Sequence, residues 1–243
     1  MMENVAIVLA AGSGKRMNSA VKKQYIEIED KPVLYYTLTA FEHSALIDGI
    51  VLVVGADDID YCRQEIVNRY GFAKVCEIVV GGKERYHSVR AGLRAIEMAG
   101  GCKNVLIHDG ARPFVDDAML ERLLEGVRSH GACIAAVKSK DTVKIADDAD
   151  YVVSTPNRGN VWNVQTPQVF DFTLICDAHA ALEREEATLK ERNVEVTDDA
   201  MVVETWTGHK VKLIEGSYQN IKITTPEDIG IAKSIIMQGE ANC

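Results

Sequence analysis

Apolar positions along this chain fall into two rhythms. Short, β-branched runs recur at Val5–Leu9, Ile50–Val54, Glu77–Val80, Asn104–His108 and Ala132–Val137, and each predicts a strand. Between them the spacing turns helical. Leu120, Leu123, Leu124 and Val127 share one face, which predicts a helix over Asp116–Ser129. Asp30 and Pro32 supply a cap and a first-turn proline ahead of a helix over Val33–Phe41. Thr225-Pro-Glu-Asp228 reads as a capping box opening a helix over Pro226–Met237. Such alternation predicts βαβ units, right-handed crossovers and a largely parallel, twisted α/β sheet with helices on both faces. Ligands of these sheets collect at the carboxyl ends of the strands.

One stretch departs from the pattern. Residues 138–160 contain two short alternating segments, Thr142–Ile145 and Tyr151–Ser154, around the polar turn Ala146–Asp150. An isolated hairpin is marginal in water and leaves its edges unpaired. It is expected either to project as an arm that builds a homodimer or to lie on the body as a surface flap. No repeat or linker divides the chain, so one domain over 1–243, arm included, is expected.

Composition narrows the function classes. The chain carries 36 acidic against 27 basic residues, a formal net charge of −9, which argues against a nucleic-acid or membrane-surface role. No apolar run approaches the roughly 20 residues that cross a bilayer. The first strand begins almost at once, leaving no room for a leader, and a cytoplasmic protein is expected. Six cysteines are scattered without a CxxC pair, and buried free thiols are expected.

Against that acidic background the run LAAGSGKRMNSAVKKQY (Leu9–Tyr25) holds Lys15, Arg16, Lys22 and Lys23 and no acid. It is not a Walker A loop, because Leu9 and Arg16 stand where glycine and Ser/Thr are required. Nor is it a dinucleotide fingerprint, because Met17 replaces the third glycine. What remains is a small-residue turn, Ala10-Ala11-Gly12-Ser13-Gly14-Lys15, whose backbone N–H groups can approach anionic oxygens; the bland alternative is a solvated basic loop. Further along, Asp109 closes the strand VLIHD, where a carboxylate suits Mg²⁺ or serves as a turn residue before Gly110. Gly81 and Gly82 permit close backbone approach where GGKERYHSV enters a helix.

These residues carry a resemblance. LAAGSGKRM with KKQY resembles the opening signature of the sugar- and polyol-phosphate nucleotidyltransferases. GGKERYHSVRAGL, IHDGARPF, RGNVWNVQTPQVF, VTDDAMVVE and NIKITTPEDI narrow it to the methylerythritol phosphate cytidylyltransferases, over essentially the whole chain. The resemblance implies a Rossmann-like nucleotidyltransferase fold and Mg²⁺-dependent transfer of CMP from CTP to a polyol phosphate, with release of pyrophosphate. It implies Arg16 and Lys23 as transition-state cations, and Ala10, Ala11, Gly12, Ser13, Gly14, Lys15, Gly82, Ser88 and Asp109 around the nucleotide. Asp109 would hold the metal, Mg²⁺ or another divalent cation. Thr142, Arg158 and Lys222 match the group that holds the acceptor, with Arg112 at the turn or on a substrate group. Thr197 and Asp198 match polyol-hydroxyl contacts, though a helix N-cap serves equally well for either. Position 22 is commonly proline in the family, and Lys22 departs from it. If the arm crosses a dimer interface, Thr142 and Arg158 serve the neighbour's site. Two alternatives stay open: another acceptor such as ribitol 5-phosphate, and a non-catalytic CTP-binding regulator.

Overall fold

The computed structural model describes residues 2–12, 21–191 and 195–240. Its centre is a seven-stranded sheet. The strands are β1 (Met2–Ala10), β4 (Gly49–Val54), β5 (Val75–Val80), β6 (Cys102–Asp109), β7 (Ala132–Lys138), β10 (Trp162–Asp171) and β11 (Lys212–Glu215), in the order β11-β7-β10-β6-β1-β4-β5. Each predicted strand is present, lengthened by one to four residues. Pairing is parallel throughout except at β10, which runs antiparallel to both β6 and β7.

The period of two along β1 explains the layering. Ala6, Val8 and Ala10 face one side, onto helices α1 (Val33–His43) and α4 (Asp117–His130). Val5 and Ile7 face the other, onto α3 (Arg85–Met98), α5 (Phe172–Glu191) and α6 (Asp199–Thr207). Leu120, Leu123, Leu124 and Val127 of α4 are all buried, as their spacing predicts. Asp116 caps that helix by accepting the Met119 N–H at 2.7 Å, and Gly131 closes it in the left-handed conformation at φ 74°.

Three expectations need correction. Asp30 does not cap α1. It sits at φ 60° in the turn between the two-residue strands β2 (Glu27–Ile28) and β3 (Lys31–Pro32), a backbone region that Asp tolerates, and Pro32 takes the capping position. The hairpin is shorter than predicted, with β8 (Ile145–Ala146) paired to β9 (Val152–Ser154) as a separate ribbon. Cys62, Cys102 and Cys133 are buried, but Cys76 on the edge strand β5 is exposed. Near the end, α7 (Pro226–Glu240) opens with Asp228 accepting the Thr224 and Thr225 N–H groups at 2.8 and 2.9 Å. A short helix, α2 (Ile59–Tyr61), runs into a π-helical stretch over Cys62–Asn68. No described helix is long and apolar enough to cross a membrane.

Two histidines are buried in the layers. Burial pushes His108 on β6 down to about 4 and His179 on α5 down to about 3. Both therefore stay neutral in the fold and bind fewer protons than in the unfolded chain, where they titrate near 6.5. That contribution to stability is complete above pH 6.5 and is lost as pH falls toward 4. We expect the melting temperature to drop steeply across that window. His179→Leu should reduce the slope by about 1.4 kcal/mol per pH unit in denaturant titrations.

Candidate active site

The carboxyl ends of β1 and β6, the loop after β5 and the start of α3 enclose a cleft of about 390 Å³, which Lys23, Gln24 and Lys222 complete. Asp109, the last residue of β6, projects into it. Its Oδ2 lies 2.8 Å from Lys222 Nζ and 3.5 Å from Arg112 Nε, and its Oδ1 lies 3.9 Å from Arg85 Nε. Burial alone pushes this carboxyl up. The Lys222 ammonium foremost, with Arg85 and Arg112, holds it well below the usual carboxylate range, so it is ionised at neutral pH.

A chain of hydrogen bonds fixes the backbone beneath it. The Arg112 carbonyl, 2.9 Å from His108 Nε2, can only accept, so Nε2 carries the proton. His108 Nδ1 then accepts from the Thr166 hydroxyl at 3.0 Å, and that hydroxyl accepts the Asp109 N–H at 3.0 Å. Thr166 is placed by β10, whose register shifts between Val164 and Gln168 around Pro167. Asn220 is fully buried and donates to the Thr166 carbonyl at 2.8 Å. The Ile223 N–H bonds the Ala111 carbonyl at 2.9 Å. Lys222 is thereby docked beside Asp109.

On the wall formed by the loop after β5, Gly81 and Gly82 are required by contact. A Cβ on Gly81 would lie 2.5 Å from the Ala11 Cβ and 2.7 Å from Ser88 Oγ, and one on Gly82 would collide with His87. Ser88 is buried, lines the cleft and accepts the Gly82 N–H at 3.1 Å. Ala10, Ala11 and Gly12 line the same wall. Ser13, Gly14, Lys15 and Arg16 lie outside the described residues.

The acceptor candidates divide. Lys222 reaches the cleft. Arg112 instead anchors the turn, donating to the Asn220 carbonyl at 2.9 Å. Thr142 and Arg158 are exposed on the arm segment and do not line this chain's own cleft. Thr197 is exposed next to α6, while Asp198 caps that helix by accepting the Met201 N–H at 2.9 Å. Among the described residues no three acids, histidines or cysteines form a metal cluster. A lone ionised carboxylate still fits Mg²⁺, which keeps its waters and shares substrate phosphates.

Two cleft residues were not visible in the sequence. Gln24 is buried and donates to the Ala10 and Gly12 carbonyls at 2.6 and 3.2 Å. Arg85 pairs at 2.7 Å with Asp199, a fully buried acid at the start of α6. A charged residue in a first helical turn and a second aspartate after a cap look like solvated ends. Only the packing of α3 against α5 and α6 reveals the pair.

The 2-C-methyl-D-erythritol 4-phosphate cytidylyltransferase family model matches residues 4–238. A protein of that name from Clostridium kluyveri is 48% identical over 235 residues, 97% of each chain. Another from Alkaliphilus oremlandii is 46% identical over 239 residues, again 97% of each. Among solved structures, 4-diphosphocytidyl-2C-methyl-D-erythritol synthase from Anaerococcus prevotii superposes with a TM-score of 0.80 at 38% identity, covering 97% of this chain and 99% of that one. The Francisella tularensis 2-C-methyl-D-erythritol 4-phosphate cytidylyltransferase gives 0.77 at 29% identity, covering 96% and 99%. With a cleft of this build at the strand ends and agreement along nearly its full length, the chain belongs to the 2-C-methyl-D-erythritol 4-phosphate cytidylyltransferase family.

Proposed function

We propose that the protein transfers CMP from CTP to 2-C-methyl-D-erythritol 4-phosphate. An oxygen of the acceptor phosphate attacks the α-phosphorus, the bond to the β-phosphate oxygen breaks, and pyrophosphate leaves. The observation that carries this reading is the convergence of Lys23, Lys222 and the ionised Asp109 in one cleft beside a small-residue wall. Such a transfer needs alignment and positive charge where negative charge accumulates, and no protein nucleophile.

In this reading Arg16 and Lys23 neutralise the nucleotide phosphates, an arginine gripping oxygens bidentately and a lysine acting as a point charge. Ala10, Ala11, Gly12, Ser13, Gly14 and Lys15 offer the backbone cradle, while Gly82 and Ser88 face the base. Asp109 would hold a divalent cation, Mg²⁺ in the first instance. When bound, that ion neutralises phosphate charge. Lys222 receives the acceptor phosphate.

The arm completes the site in trans. Tyr151, Val152 and Val153 are 74%, 60% and 65% exposed, an apolar strip that water disfavours and a second copy of the chain would cover. One domain with its arm thus works as a homodimer, Thr142 and Arg158 serving the neighbouring cleft.

Lys23→Ala should lower kcat by about 10²–10³ with melting unchanged, the usual cost of a lost transition-state cation. A pyrophosphate-release assay against a panel of polyol phosphates checks both rate and acceptor, and preference for ribitol 5-phosphate would overturn the acceptor assignment. EDTA should silence turnover and Mg²⁺ restore it. Val153→Asp should yield inactive monomers by light scattering. Mixing Lys23→Ala with Arg158→Ala subunits should recover activity, because one hybrid site then carries neither substitution. No recovery would place Arg158 outside the neighbour's site.

A further inference from the structure

Lys22 belongs to the cationic run and directly precedes Lys23. Its Nζ lies 2.6 and 2.8 Å from the two carboxylate oxygens of Asp58. Asp58 ends the turn Ala56–Asp58, which follows β4 after Gly55, so the pair ties residue 22 to the carboxyl end of the strand beside β1. Two neighbours add further ties. The Gln24 amide donates to the Ala10 and Gly12 carbonyls, and the Tyr25 hydroxyl lies 3.2 Å from the buried Cys62 Sγ. The side chain between these anchors, Lys23, lines the cleft.

Gly55 shows how closely the pair is seated. A Cβ there would lie 2.9 Å from Asp58 Oδ2 and 3.3 Å from Lys22 Nζ. Its backbone, at φ −65° and ψ 154°, suits any residue. An alanine would therefore press on the ion pair without straining the chain.

We infer that Lys22 and Asp58 are positioning residues, their ion pair fixing the turn that aims the Lys23 ammonium into the cleft. The inference rests on the reading of Lys23 as a transition-state cation. With Lys22 35% and Asp58 13% exposed, the pair is largely withdrawn from water, so removing one partner costs some stability as well as position. Its loss should appear in turnover, since a misplacement of about 1 Å at a reacting centre costs up to about 100-fold in rate.

Asp58→Asn, Lys22→Met and Gly55→Ala should each lower kcat by about tenfold, with KM for CTP nearly unchanged, when assayed well below each variant's melting temperature. The charge-swapped pair Lys22→Asp/Asp58→Lys should recover most of the loss. In a Lys23→Ala background Asp58→Asn should cost nothing more, because it acts through Lys23. Single variants within about twofold of wild type, or an undiminished Asp58→Asn effect in that background, would overturn the inference. Normal turnover by Lys23→Ala alone would instead overturn the functional reading on which it rests.

Discussion

A buried carboxylate must be compensated, and the architecture of this site follows from that demand at Asp109. An ionised acid withdrawn from water costs several kcal/mol unless cations and hydrogen bonds replace its hydration. Three cations surround it, and they come from separate segments: Lys222 ahead of α7, Arg112 from the following turn, and Arg85 from the start of α3. Only the assembled fold unites them. The carboxylate therefore stays ionised where an isolated one in an apolar wall would protonate.

The one strand that breaks the parallel order fixes the backbone on which this acid stands. β10 enters antiparallel beside β6, and its irregular middle sets the Thr166 hydroxyl between His108 and the Asp109 amide. Two positions further on, Gln168 is buried and caps α6, accepting the Asp199 and Ala200 N–H groups at 3.0 and 3.1 Å. One strand thus orients both acids that Arg85 joins. Burial pushes the Asp199 carboxyl up and Arg85 lowers it, so the guanidinium is shared between a cleft acid and a core acid.

Legibility in the sequence followed burial. Strands such as Ile50–Val54 are covered on both faces and read as continuous apolar runs. β10 reads WNVQTPQVFD: its polar side chains serve the site and its proline argues against a central strand, so periodicity passes over it. Asp109 was legible because a strand-terminal acid needs only local pattern. Arg85, Gln24 and Thr166 were not, since each acquires its partner through tertiary packing. Asp30 misled because the cap signature and an aspartate held at positive φ in a tight turn look alike in one dimension.

The contrast between a −9 chain and this cleft is itself informative. Lys23, Lys83, Arg85 and Lys222 line it against Glu84 and Asp109. Even with both acids counted as charged, four cations against two carboxylates leave the lining positive. The wall therefore offers a positive field to an anion although the molecule as a whole repels one. Low-dielectric walls focus such a field toward the opening, while the acidic exterior discourages binding of nucleic-acid phosphates elsewhere. Selectivity for a small, highly charged nucleotide over a polyanion thus begins with where the few cations stand.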